Sequence, residues 1–167
     1  MARESTSPQR KTGANMDTKN HFKGNDPPKI SRILVATDFS PQASSALEWA
    51  RSLAGAFGAE LVLLHVINIF GLAEVSCVTG GPDPLLLLRE QAHKSMGELK
   101  ASIPDAQTVV YEGSPSLLIV DTALDLNCQM IVMGTHGRSG LVHLLLGSVA
   151  EYVVRSGNVP VLTVSAH

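Results

Sequence analysis

Short, mostly apolar runs alternate along this chain with segments whose apolar residues recur at steps of three and four, and that alternation leaves few folds open. The runs are Ile33-Leu34-Val35-Ala36, Leu61-Val62-Leu63-Leu64-His65-Val66, Thr108-Val109-Val110-Tyr111, Met130-Ile131-Val132-Met133 and Val159-Pro160-Val161-Leu162-Thr163-Val164. They are short for helices and too uniformly apolar for strands with one wet face, so they read as strands covered on both sides. Between them, Ala43, Ala46, Leu47, Ala50, Leu53, Ala54 and Phe57 make one helical stripe, and Leu85, Leu88, Ala92, Met96 and Leu99 a second. Leu118, Ile119, Thr122, Ala123 and Leu126 make a third, and Val149, Ala150, Val153 and Val154 a fourth. Strands that alternate with helices are joined by right-handed crossovers. The predicted class is therefore α/β: a five-stranded, mostly parallel sheet with helices on both faces, Rossmann-like.

Local punctuation agrees. Ser40-Pro41 and Ser114-Pro115 each supply a helix cap followed by proline at the first helical position. Gly58 and Asn127 are suited to end helices in the left-handed conformation. A connection from about Ile67 to Pro84, with Gly71, Gly80, Gly81, Pro82 and Pro84, is long enough for a functional role.

A length of 167 residues suits one domain with a real core. With 44% hydrophobic but only 4% aromatic residues, that core must be aliphatic. The formal net charge of −2 gives no reason to expect a nucleic-acid partner or an anionic membrane surface. No apolar run approaches the ~18 residues of a membrane span, and no secretory signal opens the chain, so a cytoplasmic protein is expected. Cys77 and Cys128 have neither metal-ligand nor redox spacing and read as bland thiols. Residues 1–29 carry +3 and the remainder −5. That polar, aperiodic tail, 1–29, is expected to be disordered, with a transit peptide or a true start at Met16 as alternatives. The domain is expected over 30–167.

The chemistry concentrates where the fourth run ends. Gly134, then two residues, Gly137, then nine residues, then Gly147-Ser148 stand between a strand and a helix. Ser148 is placed to cap that helix, and a helix start offers free N–H groups and a positive dipole end to an anion. The glycines either bring backbone close to a phosphate or merely turn the chain. In open parallel sheets ligands bind at the carboxyl ends of strands where strand order reverses, which sets Thr37-Asp38 and the glycine run on one crevice.

From Ile30 to Val164 the chain resembles the universal stress protein family, and its ATP-binding subgroup in particular. The resemblance is carried by Ile33-Leu34-Val35-Ala36-Thr37-Asp38-Phe39-Ser40, Glu112-Gly113-Ser114-Pro115, Ile131-Val132-Met133-Gly134-Thr135-His136-Gly137-Arg138-Ser139-Gly140, Gly147-Ser148 and the final strand. It implies an adenine nucleotide alpha hydrolase-like fold and ATP, or another adenine nucleotide, bound with Mg²⁺. It further implies that Ala36, Thr37, Asp38 and the backbone of Val66 meet the adenine end, and that Met133 and Gly134 lie beside the ribose. His136, Gly137 and Arg138 would then lie beside the phosphates, with Gly147, Ser148 and Val149 around the terminal ones. A homodimer through Val159–Val164 and a regulatory role in stress response are also implied. One departure is Gln129, where many members carry Asp; it bears on a local turn only.

Plainer readings stand beside these. Asp38 could simply organise the turn into the first helix, His136 and Arg138 could be exposed loop residues, and His65 and His143 read as packed or surface histidines. Ser139 and Gly140 shape the loop. Leu141, Val142 and Leu144 to Leu146 would pack on the sheet's edge or a partner subunit. No GxxxxGK[ST] lysine is present, and Ala36-Thr37-Asp38-Phe39-Ser40 lacks the glycines of an adenylating loop. No catalytic residue and no protein metal ligand is therefore nominated. The alternatives to a nucleotide-dependent regulator are a slow ATP hydrolase or phosphotransferase and a nucleotide-free dimeric scaffold.

Overall fold

The structure is a computed structural model that describes residues 29–70, 83–136 and 146–165. Residues 1–28 of the tail, Cys77 and the run from Gly137 to Leu145 lie outside the described residues. The chain forms β1 (Arg32–Ala36), α1 (Pro41–Phe57), β2 (Glu60–Asn68), α2 (Pro84–Ser102), β3 (Gln107–Gly113), α3 (Pro115–Asp125), β4 (Met130–Gly134), α4 (Ser148–Ser156) and β5 (Val161–Val164). All neighbouring strands are parallel, in the order β3-β2-β1-β4-β5. In register, Leu34 lies between Val62 and Ile131.

Because side chains alternate across a strand, the apolar runs feed two cores. Ile33, Val35, Leu61, Leu63 and Val132 pack with Ala46, Ala50 and Ala54 of α1 and Met96 of α2. Leu34, Ala36, Val62, Leu64, Ile131 and Met133 pack on the opposite face with Ile119 and Ala123 of α3 and Ala150 and Val153 of α4. Each fully buried Leu, Ile or Val contributes roughly 2 kcal/mol by burial, so the three central strands carry most of the hydrophobic stabilisation. Of the expected α1 stripe, Phe57 departs: it is the last helical residue, the chain turns back at Gly58, and the ring stands 47% exposed.

The ends of α1 follow the sequence closely, those of the other helices in part. Ser40 caps α1 by accepting from Ala43 N–H at 3.2 Å. Gly58 takes φ 65° and Asn127 φ 49°. Ser114 occupies the cap position of α3, yet its hydroxyl makes no cap bond and lies 3.1 Å from the Ser116 hydroxyl. The final strand begins at Val161, two residues later than its apolar run; Pro160 has no N–H to give and contributes only its carbonyl, which accepts from Ile131 N–H at 3.0 Å.

The motif residues outside the crevice have structural work. Glu112 of β3 accepts from Arg89 of α2 at 2.6 and 2.9 Å, and this pairing holds its carboxyl below the usual range. Gln129 Oε1 accepts from Ser31 N–H, Ser31 Oγ and Arg32 N–H, each at 2.9 Å, tying the entry of β1 to the turn before β4. The turn at the departure from Asp is thus well bonded. Strands β3 and β5 are the sheet edges. No described helix is long and apolar enough to cross a membrane.

Candidate nucleotide site

From β1 the chain crosses to β2 on one side, whereas from β4 it crosses to β5 on the other, so the carboxyl ends of β1 and β4 diverge into a crevice. A cavity of about 470 Å³ lies there.

The β1–α1 turn forms one wall through bonds within its own four residues. Thr37 Oγ1 accepts from Phe39 N–H at 3.0 Å and Asp38 Oδ1 from Ser40 N–H at 3.0 Å. Phe39 is thereby held at φ 63°, a left-handed conformation costing a bulky residue on the order of 1 kcal/mol or more. Its ring centroid lies 4.5 Å from that of His65 in β2, and His65 Nδ1 lies 2.8 Å from Thr37 O. Asp38 therefore does organise the turn, as its plainer reading held, while also lining the cavity.

The opposite wall is the β4–α4 junction. Gly134 is closely packed: a Cβ there would stand 3.0 Å from Gln42 Cβ in the first turn of α1 and 3.3 Å from His136 O, so a side chain fits only if those neighbours give way. Thr135 N–H donates to Val164 O at 2.9 Å, and Thr135 O accepts from Gly147 N–H at 2.8 Å. His136 Nδ1 lies 3.0 Å from Thr135 Oγ1. The expectation that Ser148 caps the last helix is corrected. The cap is Gly147, whose N–H is pinned by Thr135 and whose carbonyl accepts from Glu151 N–H at 2.8 Å, making Ser148 the first helical residue. The first-turn N–H groups of Ser148, Val149 and Ala150 have no carbonyl within the helix to meet, and all three residues line the cavity.

Of the residues named from the sequence, Ala36, Thr37, Asp38, Val66, Met133, Gly134, His136, Gly147, Ser148 and Val149 come together around this cavity. Gly137 and Arg138 fall outside the described residues. Leu146, the described end of the apolar loop, is partly buried against the core shared by α3 and α4.

Other wall residues were not foreseen. Ile67 and Asn68 extend β2 past its apolar run, Leu88, Gln91 and Ala92 of α2 also line the cavity, and Ile119 of α3 lines it from the face of the sheet that α3 shares with α4. Leu88, Ala92 and Ile119 read as ordinary core-stripe residues, and nothing local distinguishes a stripe position over a strand from one over a cavity. The arrangement offers an apolar slot at the β2 end and backbone donors at the β4 end, with Asp38 between them. Among the described residues, no group of three or more His, Cys, Asp or Glu side chains is placed to hold a metal ion.

The model of the family described as the universal stress protein family matches residues 29–165. Universal stress protein MJ0577 of Methanocaldococcus jannaschii is 32% identical over 151 residues, covering 80% of this chain and 93% of its own. A solved structure of MJ0577 superposes with a TM-score of 0.73 over 84% of this chain and 99% of that one. Universal stress protein A homolog 2 of Coxiella burnetii is 31% identical over 137 residues, covering 80% of this chain and 93% of its own. A universal stress protein crystallised in complex with cAMP has the same fold at 24% identity, with a TM-score of 0.55 over 82% of this chain and 98% of that one.

Proposed function

The chain belongs to the universal stress protein family, and from that premise we propose that it binds ATP or another adenine nucleotide as a ligand controlling its conformation or choice of partner. One observation carries the reading: Asp38, Val66 and the first-turn N–H groups of α4 converge on a single cavity of about 470 Å³. A pocket of that size, apolar at one end and rich in backbone donors at the other, suits a nucleotide. The phosphates go to the start of α4, where the dipole and the N–H groups of Ser148 and Val149 favour negative charge. His136, Gly137 and Arg138 serve the same end of the ligand, and Met133 and Gly134 flank the ribose. Mg²⁺ accompanies ATP and is held through the phosphates. The cAMP complex of the distant relative is a property of that protein, and it is in keeping with this reading.

Residues 30–167 act as one universal stress protein domain in this proposal, with 1–29 outside it. Strand β5 lies at the sheet's edge, with no neighbour beyond it among the described residues, which supports pairing of Val159–Val164 with a second copy.

The test is calorimetric titration of the full chain with ATP, ADP and AMP in the presence of Mg²⁺, with mass spectrometry of any nucleotide that copurifies. Saturable binding is expected. A Cβ at Gly147 would stand 3.1 Å from Thr135 O, so Gly147→Val displaces the bond that seats α4 and should weaken ATP binding about tenfold, ~1.4 kcal/mol, with the fold retained. Absence of binding at millimolar nucleotide would leave the dimeric scaffold. Phosphate release at saturation would indicate the slow hydrolase.

A further inference from the structure

In a parallel pair, alternate residues of one strand turn both peptide groups toward the same neighbour. Glu60 N–H donates to Ser31 O and Leu64 O accepts from Thr37 N–H, both at 2.9 Å, so the even-numbered residues of β2 face β1. The next rung would run from Val66 N–H to Thr37 O. That carbonyl is met instead by the His65 ring, with Nδ1 at 2.8 Å. A carbonyl only accepts, so Nδ1 carries the proton and donates it. The ring is backed by Phe39, which the Thr37 hydroxyl fixes at φ 63°. Thr37, His65 and Val66 all line the cavity.

We propose that His65 is a positioning residue that ends the β1–β2 ladder one rung early, leaving the N–H and C=O of Val66 turned into the cavity as a donor and acceptor for a 6-aminopurine edge. This rests on the nucleotide-binding reading and adds to it the side chain that makes the peptide available. The N1 of adenine accepts and its 6-amino group donates, which matches one backbone N–H and one C=O; guanine presents the reverse, an acceptor at O6 and a donor at N1. His65 acts through Thr37. A carbonyl oxygen has two lone pairs, so the ring acts by holding Thr37 O turned toward itself; without that bond the carbonyl swings back to take Val66 N–H and close the rung.

The test measures amide hydrogen exchange at Val66 in the full chain and in His65→Leu and His65→Asn, alongside ATP affinity. Asn carries an amide N–H near the position of Nδ1 and should rescue. Expected is fast exchange at Val66 in the ligand-free wild type, slowed at least about tenfold in His65→Leu and unchanged in His65→Asn. ATP affinity should fall about tenfold in His65→Leu and stay within about threefold in His65→Asn. Protected Val66 in the ligand-free wild type overturns the proposal, as does equal loss of affinity in both variants. Wild-type protein that binds no adenine nucleotide but shows the exchange pattern overturns the nucleotide reading alone. If His65→Leu fails to fold, exchange in the wild type and in His65→Asn decides.

Discussion

Cys128 shows what a single residue's surroundings do to its chemistry. It is 4% exposed at the entry to β4, and burial pushes its thiol from an ordinary 9.0 up to about 11, with the Arg32 charge pulling the other way. The folded chain holds this proton more tightly than the unfolded one. Its stabilising effect is complete below pH 9 and is lost as pH rises toward 11. Denaturation measured at pH 8 and again near pH 10.5 should show a larger loss of stability for the wild type than for Cys128→Ala; parallel losses would refute the assignment. At pH 8 the native thiol should also resist alkylation. A buried Cys128 was legible from its place beside an apolar run. Gly134 was legible only in part: its position in the glycine run suggests closeness to a ligand, whereas the tightest contact a side chain would make is with Gln42, far away in sequence. His65 was less legible still, because a histidine in an apolar strand looks like packing until its partner carbonyl is seen.

Among the elements, the terminators are the most decisive local signals. Gly58 ends α1 at φ 65°, and a Cβ there would meet nothing within 4 Å. The cost of Gly58→Ala is therefore conformational alone, about 1 kcal/mol, and Gly58→Asn should cost less. Urea midpoints of the two variants check this, and equal midpoints for wild type and Gly58→Ala would remove the argument. The central strands could be read from sequence because burial on both faces leaves uninterrupted apolar runs. The ends of β2 and β5 could not: Asn68 belongs to β2 through pairing with Gly113, and Val159-Pro160 leaves β5 because proline cannot continue the ladder. The cap of α2 escaped for a similar reason. Asp83, whose carboxylate accepts from Leu85 N–H at 2.9 Å, sits at the end of a glycine- and proline-rich connection and reads as part of it.

At the scale of the whole molecule, strand order is what makes a site out of separate segments. That the strand order reverses somewhere follows from right-handed crossovers with helices on both faces, and the chemistry of Thr37-Asp38 and the glycine run suited them to that point; that the reversal falls between β1 and β4 is seen only in the sheet. The side walls from α2 and α3 depend on how helices settle over strands, and no local pattern encodes that. A ligand that bridges both sides of the reversal stabilises the whole domain. Mg-ATP at a hundred times its dissociation constant should add about 2.7 kcal/mol and raise Tm, with a smaller rise in Gly147→Val at the same concentration. The bond from Gly147 N–H to Thr135 O, at 2.8 Å, bears on more than binding. It fixes Thr135 and Gly147 to each other, so the two anchors hold their relative places whatever the number of residues between them. Doubling it would cost only about 0.6 kcal/mol of closure entropy. The seat of α4 should therefore survive a change in the number of residues between its two anchors, whatever that change does to the phosphate end of the ligand.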